Sequence, residues 1–276
     1  MKLALIGYGT IARIALETLG REAPGEIESL MILCKRDGAD RARSLVDRVE
    51  AVLGAPLADS VRVTEAIEDV IAAKPDLAAE AAGHGALHDH GAALLKAGIP
   101  LVVASVGALA DDVLRSGLDS AAGESGCSYE VIAGAVGGLD ILGAVQLSGL
   151  DSVVYNSRKP PAAWRGTAAE GMIDLDAVEQ EVIFMSGNAA QAASTFPQNA
   201  NVAATIALKG VGFAQTRVNL IADPAVTRNV HELIVSGQSA DFTIRIEGRP
   251  APDNPKTSLT TAYSLAQTII AAVRRV

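Results

Sequence analysis

Aromatic residues are scarce in this sequence, at 3% of its positions, although hydrophobic residues of all kinds make up 49%. The cores must therefore be filled mainly by Ala, Val, Leu and Ile, which are typical of buried parallel strands and of the helices that cover them. This composition favours an α/β fold. A length of 276 residues with a charged fraction of 20% suffices for two globular domains and excludes a disordered chain.

Cysteine is nearly absent, since the chain contains only Cys34 and Cys127. They lie far apart and form no CxxC pattern, which excludes a disulfide framework and a zinc knuckle. We therefore expect a reducing, cytoplasmic location.

Long hydrophobic runs are lacking as well. The apolar run at the N-terminus is broken at Gly7 and Gly9, well short of the roughly 20 residues that a membrane span needs. Positive charge is also in deficit, because 32 acidic residues against 23 basic ones give a net charge of −9. Such a charge repels phosphate backbones and anionic lipid surfaces, so neither nucleic acid nor a membrane is an expected partner.

The first half of the chain alternates short apolar runs with stretches of helical spacing, beginning with a strand at Lys2 to Ile6. This alternation predicts a Rossmann-type parallel sheet with right-handed crossovers over residues 1–131. A helix predicted over residues 256–276 should pack back on this dinucleotide-binding domain.

The pattern changes over residues 132–255, where several segments alternate polar and apolar residues. They predict a second α/β domain with a mixed or antiparallel sheet that is covered on one face. We assign substrate binding, catalysis and oligomerisation to this domain. A homodimer is expected, because the exposed sheet face of such a domain is often buried by self-association.

A GxGxxA motif lies between the predicted first strand and first helix. Glycine permits the tight turn and the close approach of a pyrophosphate, and a small third residue lets helix and strand pack closely. The alternative is a glycine turn in an unrelated α/β protein, which the position of the motif disfavours. The predicted cofactor contacts of this motif are Gly7, Gly9, Thr10, Ile11 and Ala12.

The predicted second strand ends in a basic segment that contains Lys35 and Arg36. An NAD-specific site usually carries an acidic residue here, whereas basic side chains can bind the 2′-phosphate of NADP. We therefore expect NADP to be accepted as well as NAD, with a solvated basic turn as the alternative. Further cofactor contacts are expected where the fourth and fifth strands end, at Ala82, Gly83, Ser105 and Val106.

His231 is the candidate for proton transfer. On a strand, it shares a face with Leu233 and Val235, so its imidazole should point inward. A histidine that titrates near about 6.5 can accept and return protons. The alternative is a hydrogen-bonded core histidine without a chemical role.

Eight segments occur together, in order, along nearly the whole chain: GYGTIA, AAGHGAL, VVASVGAL, GAVGGLD, RKPPAAWRGT, FPQNANVAATIAL, ADPAVTRNVHE and NPKTS. With these segments the chain resembles the L-aspartate dehydrogenase family. The resemblance implies a Rossmann domain, a C-terminal α/β domain, and NAD or NADP as cofactor. It also implies conversion of L-aspartate to iminosuccinate, which hydrolyses to oxaloacetate and ammonia, or the reverse amination, and a link to NAD biosynthesis. It assigns catalysis to His231 and cofactor contacts to Ala135 and Asn201.

Aspartate carries two carboxylates, so its pocket in this acidic protein should be locally positive. Lys159, Arg165 and Lys256 are the candidate substrate ligands. Each of them could instead be a surface charge without a role.

A cluster of His84, His88, Asp89 and His90 places two imidazoles on one helical face. It offers no third ligand of fixed geometry, and the polar start of a helix explains it equally well, so we expect no bound metal.

Two other functions stay open. A related oxidoreductase acting on an aldehyde or a sugar is disfavoured, because a sugar-oxidising relative would carry an EKP-type motif where this chain has ASVGAL. A dinucleotide-sensing regulator would bind the cofactor without turnover of aspartate.

Overall fold

The structure is a computed structural model that describes residues 1–274, apart from the side chains of residues 198, 255 and 256. The chain forms two compact units, one comprising Met1–Ile132 together with the chain from Thr261 onward, and the other comprising Ala133–Thr260. The first contains a parallel sheet and the second a mixed sheet. These sheets confirm the predicted α/β fold class.

The first unit has six strands, which are β1 (Lys2–Ile6), β2 (Ser29–Leu33), β3 (Ser60–Thr64), β4 (Leu77–Glu80), β5 (Leu101–Val103) and β6 (Tyr129–Val131). The helices between these strands are α1 (Thr10–Glu22), α2 (Ala39–Leu53), α3 (Ile67–Ala73), α4 (His84–Lys96) and α5 (Asp112–Ser125). The strands are parallel and follow the order β3-β2-β1-β4-β5-β6. The order reverses between β1 and β4, which is where such sheets bind nucleotides.

Burial explains why these segments form strands and helices. Leu3 to Ile6 of β1 are all buried, as is expected of a parallel strand covered on both faces. The facing helix α1 buries Ala12, Ala15, Leu16 and Leu19 along one stripe.

The second unit begins with α6 (Leu139–Ser148) and contains helices α7 (Ala189–Thr195) and α8 (Asn201–Lys209). Its main strands are β7 (Leu150–Lys159), β8 (Val182–Asn188), β9 (Arg217–Ala222), β10 (Asn229–Gly237) and β11 (Phe242–Gly248). They follow the order β11-β10-β7-β9-β8, in which only the pair β7 and β9 is parallel. A small separate sheet pairs β12 (Pro250–Ala251) with β13 (Asn254–Ser258).

Aromatic side chains are concentrated in the core of this second unit. Trp164 is completely buried, and its ring lies edge-on to Phe184 and Phe196, with centroids 4.8 and 6.1 Å away. Its indole Nε1 donates a hydrogen bond to the carbonyl of Ile221 at 3.0 Å. The buried aromatic residues of the described chain, Tyr155, Trp164 and Phe196, therefore all belong to this core.

The last helix, α9, spans Leu259–Val273. The predicted helix start at residue 256 is wrong, because residues 256–258 belong to β13, in which Ser258 pairs with Pro250. Leu265, Ala266, Ile269 and Val273 join the apolar cluster that contains Leu3 of β1. The chain therefore returns to complete the core of the first unit.

The helices are short, and the longest two, α2 and α9, have 15 residues each. Over residues 1–274, no helix has both the length and the apolar character that crossing a bilayer requires.

The contribution of α9 can be measured by replacing one residue on each of its faces. Ile269 is fully buried, so Ile269→Ala should lower the free energy of unfolding by about 2 to 5 kcal/mol through lost contacts and a cavity. Tyr263 lies on the same helix and is 47% exposed, so Tyr263→Ala should change the free energy of unfolding by less than about 1 kcal/mol. Urea unfolding followed by circular dichroism measures both, and equal losses would show that α9 is not part of the core.

Candidate active site

A cavity of about 530 Å³ lies at the carboxyl ends of β1, β2 and β4, within the size range of cofactor sites. Five predicted cofactor contacts line it, namely Gly7, Gly9, Lys35, Ala82 and Gly83. Three other predicted contacts, Thr10, Ile11 and Ala12, form the first turn of α1 and are not among the residues that line the described cavity. The start of α1 still faces this edge, so its backbone N–H groups favour an anion there.

Gly7 has a φ of +106°, a conformation that L-residues with a side chain rarely adopt. A Cβ atom at this position would lie 2.8 Å from Cα of Ala82 and 2.9 Å from the carbonyl of Ala81. At Gly9, by contrast, a Cβ would meet no atom within 4 Å. The first glycine is therefore required for packing of the two turns, whereas the second borders open space.

Two cations border the end of the cavity beside β2. Lys35 lines it, and so does Arg41 from the first turn of α2, with its guanidinium 5.5 Å from the ring centroid of Tyr8. Arg36 is exposed and is not among the described lining residues. The sequence pattern pointed to Arg36 and not to Arg41, because closeness to Lys35 in the chain does not reveal which side chain the first turn of α2 directs towards the cavity.

The buried carboxylate of Glu80, at the end of β4, joins two turns of this edge. Its Oε1 accepts hydrogen bonds from the N–H groups of Ala82 and Gly83, both at 2.8 Å, and from the hydroxyl of Ser105 at 2.8 Å. Its Oε2 accepts from the N–H of Ser105 at 3.0 Å. These N–H and hydroxyl groups are therefore already hydrogen-bonded to Glu80. Ser105 and Val106 are both buried beside the turn.

The three histidines at the start of α4 do not all face the cavity. His84 and His90 line the cavity, together with Asp89. His88 instead lies 3.9 Å from the carboxylate of Asp111, measured from Nε2 to Oδ2. In the part of the chain that the structure describes, no three His, Cys, Asp or Glu side chains converge as metal ligands.

In the second unit, His231 lies on β10 and is 7% exposed, on the same face as the buried Leu233 and Val235. Its Nδ1 is 2.7 Å from the hydroxyl of Tyr155, and the two ring planes differ by 9°. Its Nε2 is buried and has no hydrogen-bond partner among the described residues. Burial, together with the positive charge of Lys159, lowers the pKa of His231 from 6.5 to about 4. The imidazole is therefore neutral at neutral pH.

Tyr155 was not identified from the sequence. It lies on β7 on the same face as Ser157 and Lys159, and β7 pairs with β10 so that Ser157 is directly opposite His231. Burial raises the pKa of Tyr155 above its ordinary value, so the hydroxyl keeps its proton. Only the register between two strands far apart in the chain brings it to His231, and a single sequence does not reveal that register.

Lys159 is 8% exposed, at the end of β7. Its ammonium donates to Oδ1 of Asn199 and lies 4.6 Å from the ring centroid of Trp164. Asn201, the first residue of α8, follows Asn199 closely in the chain. Ala135 is buried in the turn before α6.

The other two candidate substrate ligands have different positions. Arg165 forms an ion pair with Asp176 and borders a separate cavity with Glu170 and Asp174. Acidic surroundings of this kind repel a dicarboxylate. The side chain of Lys256 lies outside the described residues.

Each of the two units matches a known protein family. Residues 7–131 match the family model described as homoserine dehydrogenase, NAD binding domain, and residues 140–272 match that described as aspartate dehydrogenase, C-terminal. The solved aspartate dehydrogenase of Thermotoga maritima superposes with a TM-score of 0.71 at 23% identity, over 100% of this chain and 96% of that one. At that identity the match shows the fold.

Curated relatives extend the match to the whole sequence. The L-aspartate dehydrogenase of a Polaromonas species is 41% identical over 98% of this chain and 97% of its own length. That of Pseudomonas aeruginosa is 37% identical over 98% of this chain and 96% of its own. The chain therefore belongs to the L-aspartate dehydrogenase family of NAD(P)-dependent oxidoreductases.

Proposed function

We propose that this chain oxidises L-aspartate to iminosuccinate with NAD or NADP, or runs the reverse reductive amination. Free iminosuccinate then hydrolyses to oxaloacetate and ammonia, or supplies NAD biosynthesis. The observation that carries the proposal is the buried imidazole of His231, whose Nε2 has no partner among the described residues. It agrees with the activity named for relatives that align along nearly the entire chain.

The cofactor is assigned to the cavity at the ends of β1, β2 and β4. The open space at Gly9 and the start of α1 suit the pyrophosphate, and Lys35 with Arg41 suits a 2′-phosphate. Ala82 and Gly83 line the cavity while Glu80 occupies their N–H groups, so they contact the cofactor through their remaining backbone atoms. We assign Ser105 and Val106 to the support of this edge, and Ala135 and Asn201 to the nicotinamide. When bound, NAD or NADP supplies the hydride acceptor.

His231 is assigned proton transfer at the substrate nitrogen. The amine of aspartate is mostly an ammonium at neutral pH, and Cα can release a hydride only after that nitrogen loses a proton. The lowered pKa keeps His231 neutral and able to accept this proton at Nε2. The resulting imidazolium returns a proton in the reverse reaction. In the forward reaction, the imidazolium first releases its proton to solvent, and the neutral ring can then activate water against the imine.

Lys159 is assigned to a substrate carboxylate. It is close enough to His231 to lower its pKa, and its contacts with Asn199 and Trp164 hold the ammonium in one place. A carboxylate bound there would offset the positive charge that Lys159 directs at His231. Substrate binding would therefore raise the pKa of the imidazole and favour uptake of the proton from the substrate amine.

We also propose that the protein is a cytoplasmic homodimer. Both cysteines are free, which suits a reducing compartment. The sheet of the second unit exposes Ile183 and Ile234, at 53% and 38%, and a second copy could cover these side chains. The mass in solution, measured by light scattering, tests the dimer.

The direct test of the proposed function measures reduced cofactor formed from L-aspartate, compared with D-aspartate, glutamate and alanine. We expect turnover with L-aspartate, and a loss of kcat of about a hundredfold to ten-thousandfold in His231→Ala. His88→Ala is the matched control, because this exposed histidine contacts Asp111 instead. A parent protein that binds cofactor but turns over no aspartate in either direction would contradict the proposal and favour a sensing role.

The role of Lys159 is tested by Lys159→Met, which keeps the length and removes the charge. The KM for aspartate should rise at least about tenfold. Because Lys159 lowers the pKa of His231, its removal should also shift the acid limb of kcat/KM to higher pH. Lys209→Met, at the exposed end of α8, should change neither quantity. An unchanged KM would exclude Lys159 as a substrate ligand.

Cofactor preference distinguishes Arg41 from Arg36. Arg41→Ala should weaken NADP binding by about tenfold to a hundredfold and leave NAD binding nearly unchanged, since only NADP carries the 2′-phosphate. Arg36→Ala should alter neither affinity, because this side chain does not line the described cavity. Fluorescence titration gives the dissociation constants of NAD and NADP for each variant, and their ratios to those of the parent protein test both expectations. The reverse result, with Arg36 as the sensitive position, would refute the assignment.

A further inference from the structure

Three side chains form a polar row inside the second unit. Ser157 and Tyr155 lie two residues apart on the same face of β7, and both are 1% exposed. The hydroxyl of Ser157 is near enough to influence the pKa of Tyr155, and the hydroxyl of Tyr155 lies 2.7 Å from Nδ1 of His231. The row therefore ends on one nitrogen of the imidazole, and the other nitrogen, Nε2, has no partner in the described part of the chain.

We propose that Tyr155 is a positioning residue for the reaction, which accepts the Nδ1 proton of His231 and so leaves the lone pair on Nε2. The inference rests on the proposed function of His231. Ser157 is a second polar neighbour of the Tyr155 hydroxyl and lowers the pKa of Tyr155, although burial outweighs it.

The direction of these hydrogen bonds follows from the chemistry. Neutral imidazole carries one proton, and it can accept the substrate proton at Nε2 only if its own proton is on Nδ1. When Nε2 becomes protonated, Nδ1 stays a donor, so its bond to the oxygen of Tyr155 persists through the reaction. If Tyr155 instead donated to Nδ1, Nε2 would carry the proton and could not act as a base.

The surroundings of Tyr155 support this role. Burial raises its pKa above the ordinary value for tyrosine, so it remains a phenol that cannot take the proton away from the imidazole. The nearly parallel ring planes, which differ by 9°, allow the hydroxyl to meet Nδ1 in the imidazole plane. A histidine held by one nitrogen in this way presents the other in a fixed direction.

The experiment compares the parent with Tyr155→Phe, which keeps the buried ring and removes only the hydroxyl. In the variant kcat should fall about tenfold to a hundredfold, as for other partners of functional histidines. The KM for aspartate and the cofactor affinity should change less than about twofold, because Tyr155 contacts neither in this account. Tyr129→Phe is the matched control, since its hydroxyl bonds to Asp119 in the first unit. A kcat unchanged in Tyr155→Phe would overturn the proposal.

A measurement without substrate separates this inference from the proposed function. Two-bond ¹H–¹⁵N spectra report which ring nitrogen carries the proton, and the signal of His231 among the four histidines is assigned by its loss in His231→Ala. We expect the parent to show a single Nδ1–H tautomer, and Tyr155→Phe to lose it. A parent with its proton on Nε2 would overturn the proposal even if aspartate were turned over.

Ser157→Ala provides a second test that leaves both rings in place. Tyr155 then loses one polar neighbour but keeps its bond to Nδ1, so we expect a smaller loss of kcat than in Tyr155→Phe and a weakened preference for the Nδ1–H tautomer. If Tyr155→Phe does not fold, this variant decides the question. A lower melting temperature with an unchanged tautomer and an unchanged kcat would show that the row is only structural and would refute the inference.

Discussion

The burial of a neutral imidazole beside a buried ammonium is the constraint on which the second unit depends. Two basic groups in one apolar environment cannot both be charged without a large penalty. The protein keeps Lys159 in contact with Asn199 and Trp164, and it lowers the pKa of His231 instead. In the proposed function, this difference provides a base and an anion-binding group within the same unit.

The strand register makes this arrangement possible. Alternation along β7 puts Tyr155, Ser157 and Lys159 on one face, and the antiparallel pairing of Ser157 with His231 adds the imidazole to the same face. A shift of the register by one residue would turn these side chains away from one another. The sheet therefore supports the site through its pairing as well as through its hydrophobic core.

In the first unit, the corresponding constraint is the close approach of turns at the carboxyl edge of the sheet. Gly7 packs against Ala81 and Ala82, and Glu80 connects the turn after β4 with Ser105 after β5. Three turns that follow different strands are thus held in fixed positions. A cavity preformed in this way need not be ordered when a cofactor binds, which reduces the entropic cost of binding.

The sequence predicted the features that depend on local patterns. The strand and helix alternation, the glycine motif and the inward face of His231 all follow from residues close together in the chain, and the structure contains each of them. Features that depend on contacts between distant segments were missed. Tyr155 requires the pairing of β7 with β10, and Glu80 requires the neighbouring turn of β5. Arg41 requires the direction of a helical turn, and the low pKa of His231 requires its depth and its distance from Lys159.

The titration of His231 tests the central claim most directly. Its imidazole signal can be followed by NMR as a function of pH in the protein without substrate, with His231→Ala for assignment. The account predicts a midpoint at about 4, because burial and Lys159 both oppose protonation. A midpoint near the ordinary value of 6.5 would mean that the imidazole is solvated or remote from Lys159, and would contradict the account.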